Sequence, residues 1–266
     1  MMAPISEKLA GPWYDGGFVE LELGERPTTL SAAEMMQDQF IAGLGLVAAG
    51  WKLGASNIAS QTALGLPRPF SGLLPADRVF ASGATVDVSG WRHRGVECEL
   101  AVSLQQDIEP GTGKTLGRDE TLSLLGPVHP ALEIPETRFK TLATTEGPLA
   151  LVADNGASGR TVIGPASDIM LGHKGVDFPV ELTVNDRLMV TGNAEALIAD
   201  PLDLVTDHIN RMLGRGYRLR RGEFVLLGSL TPYQTIDADG EIKADFGAVG
   251  TVQITYFGVS GTPANR

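Results

Sequence analysis

The sequence predicts an α+β fold, rich in β-structure, with helices at the N-terminus and ahead of the last strands. Three observations predict it. Short apolar runs recur along most of the chain, parted at close intervals by Gly, Asp and Asn. The 266 residues include 33 glycines and 16 prolines, which supply many turns and disfavour a helical bundle. Only two stretches carry clear helical periodicity.

The first of these is SAAEMMQDQFIAGLGLVAAG, residues 31–50. Ser31 and Glu34 have the spacing of a capping box, and Met36, Phe40, Leu44 and Val47 fall on one helical face. The second is DPLDLVTDHINRMLGRG, residues 200–216. Asp200 suits the N-cap, Pro201 the first helical position and Gly214 the C-terminal cap. Leu202, Val205, Ile209 and Met212 form its apolar stripe. Strands are expected at RVFAS, VECELAVSL, HPALEI, LALVAD, TVIG, VELTVN, RLMVTG, EFVLLGSL, EIKADF and GTVQITYF. VELTVNDRLMVTG reads as a hairpin turning at Asn185 and Asp186. The chain shows no linker and no repeat. It divides into an N-terminal helical segment (1–50) and a β-rich unit (51–266), the two forming one compact body. GVSGTPANR at the C-terminus reads as a loose tail.

Hydrophobic content of 43% is enough for a substantial core, while the net charge is −11. Phosphate backbones and anionic membrane surfaces repel such a chain, so no nucleic-acid or membrane partner is expected. No window approaches the roughly 18 apolar residues of a spanning helix. MMAPISEKLAG lacks the basic-then-apolar layout of a signal peptide, and the single cysteine, Cys98, cannot form an internal disulfide. These features imply a cytoplasmic location.

The chemistry starts in GVECELAVSL, residues 95–104. On a strand, Val96, Cys98, Leu100 and Val102 point one way, and Glu97 and Glu99 the other. Residues two apart lie roughly 6.5–7 Å from each other at Cα, so both carboxylates can converge on one cation. Hard divalent ions such as Mg²⁺ or Mn²⁺ prefer such ligands. A solvated acidic strand face is the plainer reading of the same pattern. Glu133, in VHPALEIPETRF, gains interest only as a third ligand to the same ion. Lys52, in AAGWKLGAS, is either a snorkelling surface residue or, beside a metal, a group of lowered pKa able to move protons.

Other patterns fail. EPGTGKTLG lacks the first glycine of a phosphate loop, Ile108 standing in its place, and reads as a hairpin loop. His93, His129, His173 and His208 have no metal-ligand spacing. No G-x-S-x-G elbow occurs, and Cys98 alternates into the core.

Taken in order, WKLGAS, VECELAVSL, PALEIPETRF, LVADNGASGRTVIG and RRGEFVLLGSLTPYQTI resemble the fumarylacetoacetate hydrolase superfamily. The similarity is to its branch of 2-keto-4-pentenoate hydratases, oxohept-enedioate hydratases and 4-oxalocrotonate decarboxylases, and it covers most of the chain. It implies a mixed, mainly antiparallel β-roll or barrel with a divalent metal, Mg²⁺ or Mn²⁺, in its mouth. By position it implies Glu97, Glu99 and Glu133 as ligands, Lys52 as the catalytic lysine, and Asp154 and Asn155 near the pocket. Ser158 and Arg94 are further candidates for substrate contact. Asp154 and Asn155 also suit a plain Asx turn. Three departures stand out. Phe70 replaces the acid of the branch's P-D-[FY]-G, Ala157 replaces a serine with Ser158 next door, and TGNAEALIADP alters the glycine-rich segment. The implied activity is hydration of a 2-hydroxydienoate or 2-oxo-alkenoate in aromatic or related catabolism. The alternatives left open are decarboxylation or C–C hydrolysis within the superfamily, and a non-catalytic metal-binding assembly subunit. The implied partners are a small 2-oxo acid, further copies of the chain in a homodimer or larger homo-oligomer, and a decarboxylase.

Overall fold

The computed structural model describes residues 5–111, 113, 115–142, 146–172 and 178–259. The chain begins with helices α1 (Ile5–Asp15) and α2 (Leu30–Leu44), then strand β1 (Ala48–Gly54), helix α3 (Ile58–Leu64) and strand β2 (Phe70–Pro75). Strands β3 (Val79–Ala81), β4 (Thr85–Asp87) and β5 (Gly95–Leu104) follow, then α4 (Arg118–Leu122), β6 (Leu125–Ile134), α5 (Pro148–Ala153) and β7 (Arg160–Ile163). The C-terminal part carries β8 (Pro179–Val184), β9 (Arg187–Asn193), α6 (Pro201–Gly214), β10 (Phe224–Ser229), β11 (Gln234–Thr235), β12 (Gly240–Asp245) and β13 (Thr251–Phe257).

Two sheets organise these elements into a mixed α/β fold. The larger has eight strands, in the order β2-β1-β10-β5-β6-β7-β3, with β11 paired to β5; the smaller runs β4-β13-β12-β8-β9. The inward faces of both meet in one main core, to which Val96, Cys98, Leu100 and Val102 of β5 and Ile242, Val252 and Ile254 of the smaller sheet contribute. Burying such side chains is worth about 1.5–3 kcal/mol each, and this drives the two sheets together. The hairpin β8–β9 turns at Asn185 (φ 50°) and Asp186 (φ 61°), two residue types that tolerate left-handed backbone. Among the described residues, no helix is long and apolar enough to cross a membrane.

Two elements differ from the sequence reading. The helix expected over 31–50 ends at Leu44, because Gly45 (φ 62°) caps it in the left-handed conformation. Its N-cap is Thr29, which accepts from the Ala32 amide at 3.1 Å, two residues before the expected Ser31. The segment 48–54 becomes a strand because β2 and β10 supply hydrogen-bond partners on both sides. Val47 is therefore exposed and off the helical face. The second difference is LALVAD, read as a strand, which forms α5 instead. Pro148 occupies its first turn, and Ala150, Leu151, Val152 and Ala153 are all buried, so its composition carries no alternation to separate strand from helix. α1 went unread, although Ile5, Leu9 and Trp13 bury one face at i, i+4, i+8 spacing. The C-terminal residues 260–266, most of the expected loose tail, lie outside the described residues. So do His173, and Thr112 and Lys114 of the phosphate-loop lookalike.

α1 is held to the large sheet by arginines. Arg78 and Arg138 stack on Trp13 at 3.8 and 4.6 Å, and Arg92 donates to the carbonyls of Pro12 and Gly17. Glu136 is buried and pairs with Arg78, Arg92 and Arg160, which are half-buried around it.

α6 behaves as its sequence indicates. Asp200 accepts from the Leu202 amide at 2.9 Å, and Leu202, Val205, Ile209 and Met212 are fully buried. The stop comes at Gly216 (φ 86°) after an Arg215 cap, not at Gly214. His208, on the same buried face, lies 2.9 Å from Ser71 Oγ through Nδ1. Burial, reinforced by Arg211 and Arg215, pushes its pKa down to about 3. Above about pH 6.5 the imidazole is neutral in both the folded and unfolded chain. Below it, the unfolded chain takes up a proton that the folded chain refuses, so this part of the stability falls between about pH 6.5 and about pH 3. Between pH 7 and pH 5 the loss should be about 2 kcal/mol. His208→Gln, which cannot titrate, should show a correspondingly flatter decline in urea unfolding. Parallel pH profiles for the two proteins would refute this account.

Candidate active site

The centre of the site is set by strand register. β5 and β6 run antiparallel with Glu97 directly opposite Glu133 and Glu99 opposite Ala131. Side chains of Glu97, Glu99 and Glu133 therefore share one face, and each offers a carboxylate oxygen within 4.8 Å of the others. Like charges directly opposite across a strand pair are destabilising unless something positive lies between them. Glu99 and Glu133 are buried and Glu97 is half-buried. Burial, with Glu133 close by, pushes the Glu97 carboxyl up to about 7. Burial raises Glu99 well above the carboxylate range, and Glu133 and Glu97 add to the effect.

Lys52 comes from β1, two strands away from β5 across β10. Its Nζ lies 3.2 Å from Glu133 Oε1. Burial alone would lower this lysine, but Glu133, Glu99 and Glu97 together hold it above its ordinary value. The chemistry of this donor set fits a hard divalent cation: three buried or half-buried carboxylates facing one another, with one lysine, ion-paired to Glu133, to oppose them.

Gly228 shows how β10 serves the cluster. The β10–β5 pairing slips between Leu226↔Ala101 and Ser229↔Glu99, a bulge beside the site. There Gly228 takes φ 106° and aims its amide at Glu99 Oε2, 3.0 Å away. A Cβ at this position would lie 1.7 Å from the Oγ of Ser56. A second close approach occurs at Gly72, opposite Lys52 on β2, where a Cβ would sit 2.5 Å from the Asn155 carbonyl oxygen and 3.3 Å from Lys52 Cε. Without that Cβ, the turn 155–158 packs onto β2 and brings Ser158 beside Lys52.

The remaining sequence candidates divide. Ser158 Oγ is buried without a hydrogen-bond partner among the described residues, in the neighbourhood of Lys52. Asn155 (φ 51°) clamps the backbone of Leu73, accepting from its amide at 2.8 Å and donating to its carbonyl at 2.9 Å. Asp154 is wholly buried against Arg138, with its carboxylate bonded to Arg138 Nε and N and to Thr137 Oγ1 at 2.5, 2.7 and 2.6 Å. Asp154 therefore orders the turn and is not in the cavity wall. Arg94 donates to the Val259 carbonyl at 2.6 Å and sits with Trp91 and Tyr256, away from the carboxylates.

The carboxylates and Lys52 lie on the wall of a cavity of about 430 Å³, lined elsewhere by Phe70, Leu64, Leu142, Leu151 and Tyr233. Phe70, in the position of the absent acid, puts its ring 5.8 Å from Lys52 Nζ. Burial and the nearby Glu97 push the Tyr233 phenol up to about 12. The sequence reading missed the Gly228 amide and Tyr233. An isolated glycine in the strand EFVLLGSL signals a bulge, whereas nothing local marks Tyr233.

No family model matches the chain. The 2-keto-4-pentenoate hydratase of Burkholderia vietnamiensis is 26% identical over 207 residues, covering 78% of this chain and 77% of its own. 2-Keto-4-pentenoate hydratase 2 of Dechloromonas aromatica is 24% identical over 257 residues, covering 96% and 90%. In structure, the 4-oxalocrotonate decarboxylase of Pseudomonas putida G7, complexed with magnesium and adipate, superposes with a TM-score of 0.82 at 21% identity, over 95% of this chain and 96% of that one. The fumarylpyruvate hydrolase of Pseudomonas aeruginosa, in complex with Mn²⁺ and pyruvate, gives a TM-score of 0.57 at 16% identity, over 77% and 88%.

Gly228→Ala should lower the stability by about 1–3 kcal/mol through backbone strain, before any cost of displacing Ser56. Urea unfolding measures this, and an unchanged midpoint would show that the bulge is not constrained as described. By sequence the chain is a relative of the 2-keto-4-pentenoate hydratases, and by fold it is similar to members of the fumarylacetoacetate hydrolase superfamily.

Proposed function

We propose that the chain is a divalent-metal-dependent hydratase that adds water to a 2-hydroxydienoate, giving a 4-hydroxy-2-oxo acid. The observation that carries this reading is the meeting of Glu97, Glu99 and Glu133 within 4.8 Å, beside the buried Lys52, on the wall of one cavity. The relatives named 2-keto-4-pentenoate hydratase support it.

Glu97, Glu99 and Glu133 would hold Mg²⁺ or Mn²⁺ at the mouth of a β-roll. Such an ion supplies Lewis-acid stabilisation of the negative charge that develops on the substrate's 2-oxygen. The protein's own groups do the rest. The Gly228 amide, bonded to Glu99, fixes the orientation of that carboxylate. Lys52 moves the proton. The 2-hydroxydienoate loses its enol proton and gains one at C5, leaving an α,β-unsaturated 2-ketone. Water then forms its C–O bond at C4, and C3 takes the proton. Ser158 Oγ, buried without a hydrogen-bond partner among the described residues, is our candidate for a contact to the substrate carboxylate or the incoming water, although Gly156 and Ala157, and not Ser158, line the cavity. Phe70, Leu64 and Leu151 would give the substrate chain an apolar wall beside the carboxylates.

A second reading has one observation in its favour. Phe70 leaves no carboxylate at the position of the branch's acid, so Lys52 has an aromatic neighbour there. Enolate formation serves decarboxylation or C–C hydrolysis equally well; decarboxylation needs no water, and hydrolysis directs it to a carbonyl carbon instead of C4. Product analysis by NMR separates the readings. With 2-hydroxypenta-2,4-dienoate and Mg²⁺ or Mn²⁺ the expected product is 4-hydroxy-2-oxopentanoate. No turnover of this compound, with cleavage of a β-diketo acid instead, would favour the second.

Two substitutions probe the roles. Glu99→Gln should weaken Mn²⁺ binding at least tenfold in calorimetry and abolish turnover, while the chain stays folded. Binding at the unsubstituted level would remove Glu99 from the ligand set. Lys52→Met should slow solvent-deuterium exchange into the substrate carbon at least 100-fold with metal binding retained. Exchange at an unchanged rate would take the proton-transfer role from Lys52.

A further inference from the structure

The carboxylate cavity does not end at Glu97. A second hollow of about 780 Å³ opens from it, and Asn57, Ser60, Ala63, Glu97, Ser229 and Tyr233 line both. Its walls are α3 on one side and the segment after β10 on the other. Ile58, Ala59 and Ala63 on the first and Leu230, Pro232 and Tyr233 on the second make the lining mostly apolar, with Thr62 and Thr231 among them, and the hollow is open to solvent. Ile58 is 58% exposed although it is a large aliphatic residue at the start of α3. Among the described residues lining the two hollows, Lys52 is the single cation, and it is already engaged with Glu133.

Charge bookkeeping decides what such a space can hold. Three carboxylates, one lysine and one divalent ion sum to zero, and a substrate bound through its 2-oxo-carboxylate head adds one negative charge. A second carboxylate at the far end would lie against mostly apolar walls with no cation to receive it and with Glu97 at the entrance. A charge that gives up hydration there finds no counter-ion, whereas an alkyl or aryl tail gains by leaving water. We infer that the substrates are monocarboxylic 2-oxo or 2-hydroxydienoic acids with an extended apolar tail, seated between α3 and residues 229–233, and that dicarboxylic analogues are rejected. This rests on the metal-dependent reading of the same site and specifies its substrate class.

Binding to the Mn²⁺-loaded protein, measured by calorimetry, tests it independently of turnover. The probes are 2-oxohexanoate, 2-oxoadipate, which has the same chain length, and 2-oxo-4-phenylbutanoate. 2-Oxohexanoate should bind at least fivefold more tightly than 2-oxoadipate, and the phenyl compound at least as tightly as 2-oxohexanoate. A smaller preference against the diacid, or weaker binding of the phenyl compound, overturns the inference while leaving the metal site standing. Failure of all three to bind in a metal-dependent way would overturn the metal reading, and this inference with it. Ile58→Arg supplies the missing cation on an exposed helix position and should narrow the gap between 2-oxohexanoate and 2-oxoadipate at least threefold. An unchanged gap would show that the tail does not lie along α3.

Discussion

Everything at the site depends on the antiparallel register of β5 against β6. Because side chains alternate with a period of two, a slip of one residue would send Glu97 and Glu99 into the main core and Cys98 out of it. The apolar set Val96, Cys98, Leu100 and Val102 blocks that slip, since burying it against the second sheet is worth several kcal/mol. Core packing on one face thus keeps three like charges together on the other, a placement that electrostatics alone would oppose. Stability invested in the core holds a site whose own groups repel one another.

Around that register the neighbouring elements act by close approach. β10 bulges so that the amide of Gly228 reaches Glu99, and β2 carries Gly72 so that the turn 155–158 can lie against Lys52. The turn has its own anchors in the Asp154–Arg138 pair and the Asn155 clamp on Leu73. These residues never touch the cavity as charged groups, yet Ser158 is where it is because of them. α1, docked through Trp13 onto Arg78 and Arg138, ties the N-terminus to the same buried ion-pair region.

The cavity combines a polar pole with apolar walls. Glu97, Glu99, Glu133 and Lys52 hold its charges; Phe70, beside Lys52, with Leu64, Leu151 and α3 gives much of the rest, and Ser56, Asn57, Ser60 and Ser229 are the neutral polar residues among them. Such a division orients a ligand that has one chelating head, because only one end of it can be solvated by the protein. The departure at Phe70 fits the same division. It exchanges a carboxylate for an aromatic wall next to the lysine, and so concentrates the charged chemistry at the carboxylate cluster.

The β-rich character, the second helix with its Asp200 cap, the hairpin at Asn185–Asp186 and the facing of Glu97 and Glu99 away from Cys98 were legible in the residues themselves. Each follows from a local rule: periodicity, capping or left-handed turn preference. Where local rules compete, only the fold decided. Residues 48–50, read as the end of a helix, belong to β1, because β2 and the sequence-distant β10 offer partners, and LALVAD, which falls mostly in α5, was unreadable because a segment buried on all sides carries no period. The convergence of Lys52 and Glu133 with the β5 pair, and the apolar hollow beyond Glu97, lie further still from the sequence. They join residues from β1, β5, β6, α3 and the end of β10, and no spacing along a chain encodes a distance across a sheet.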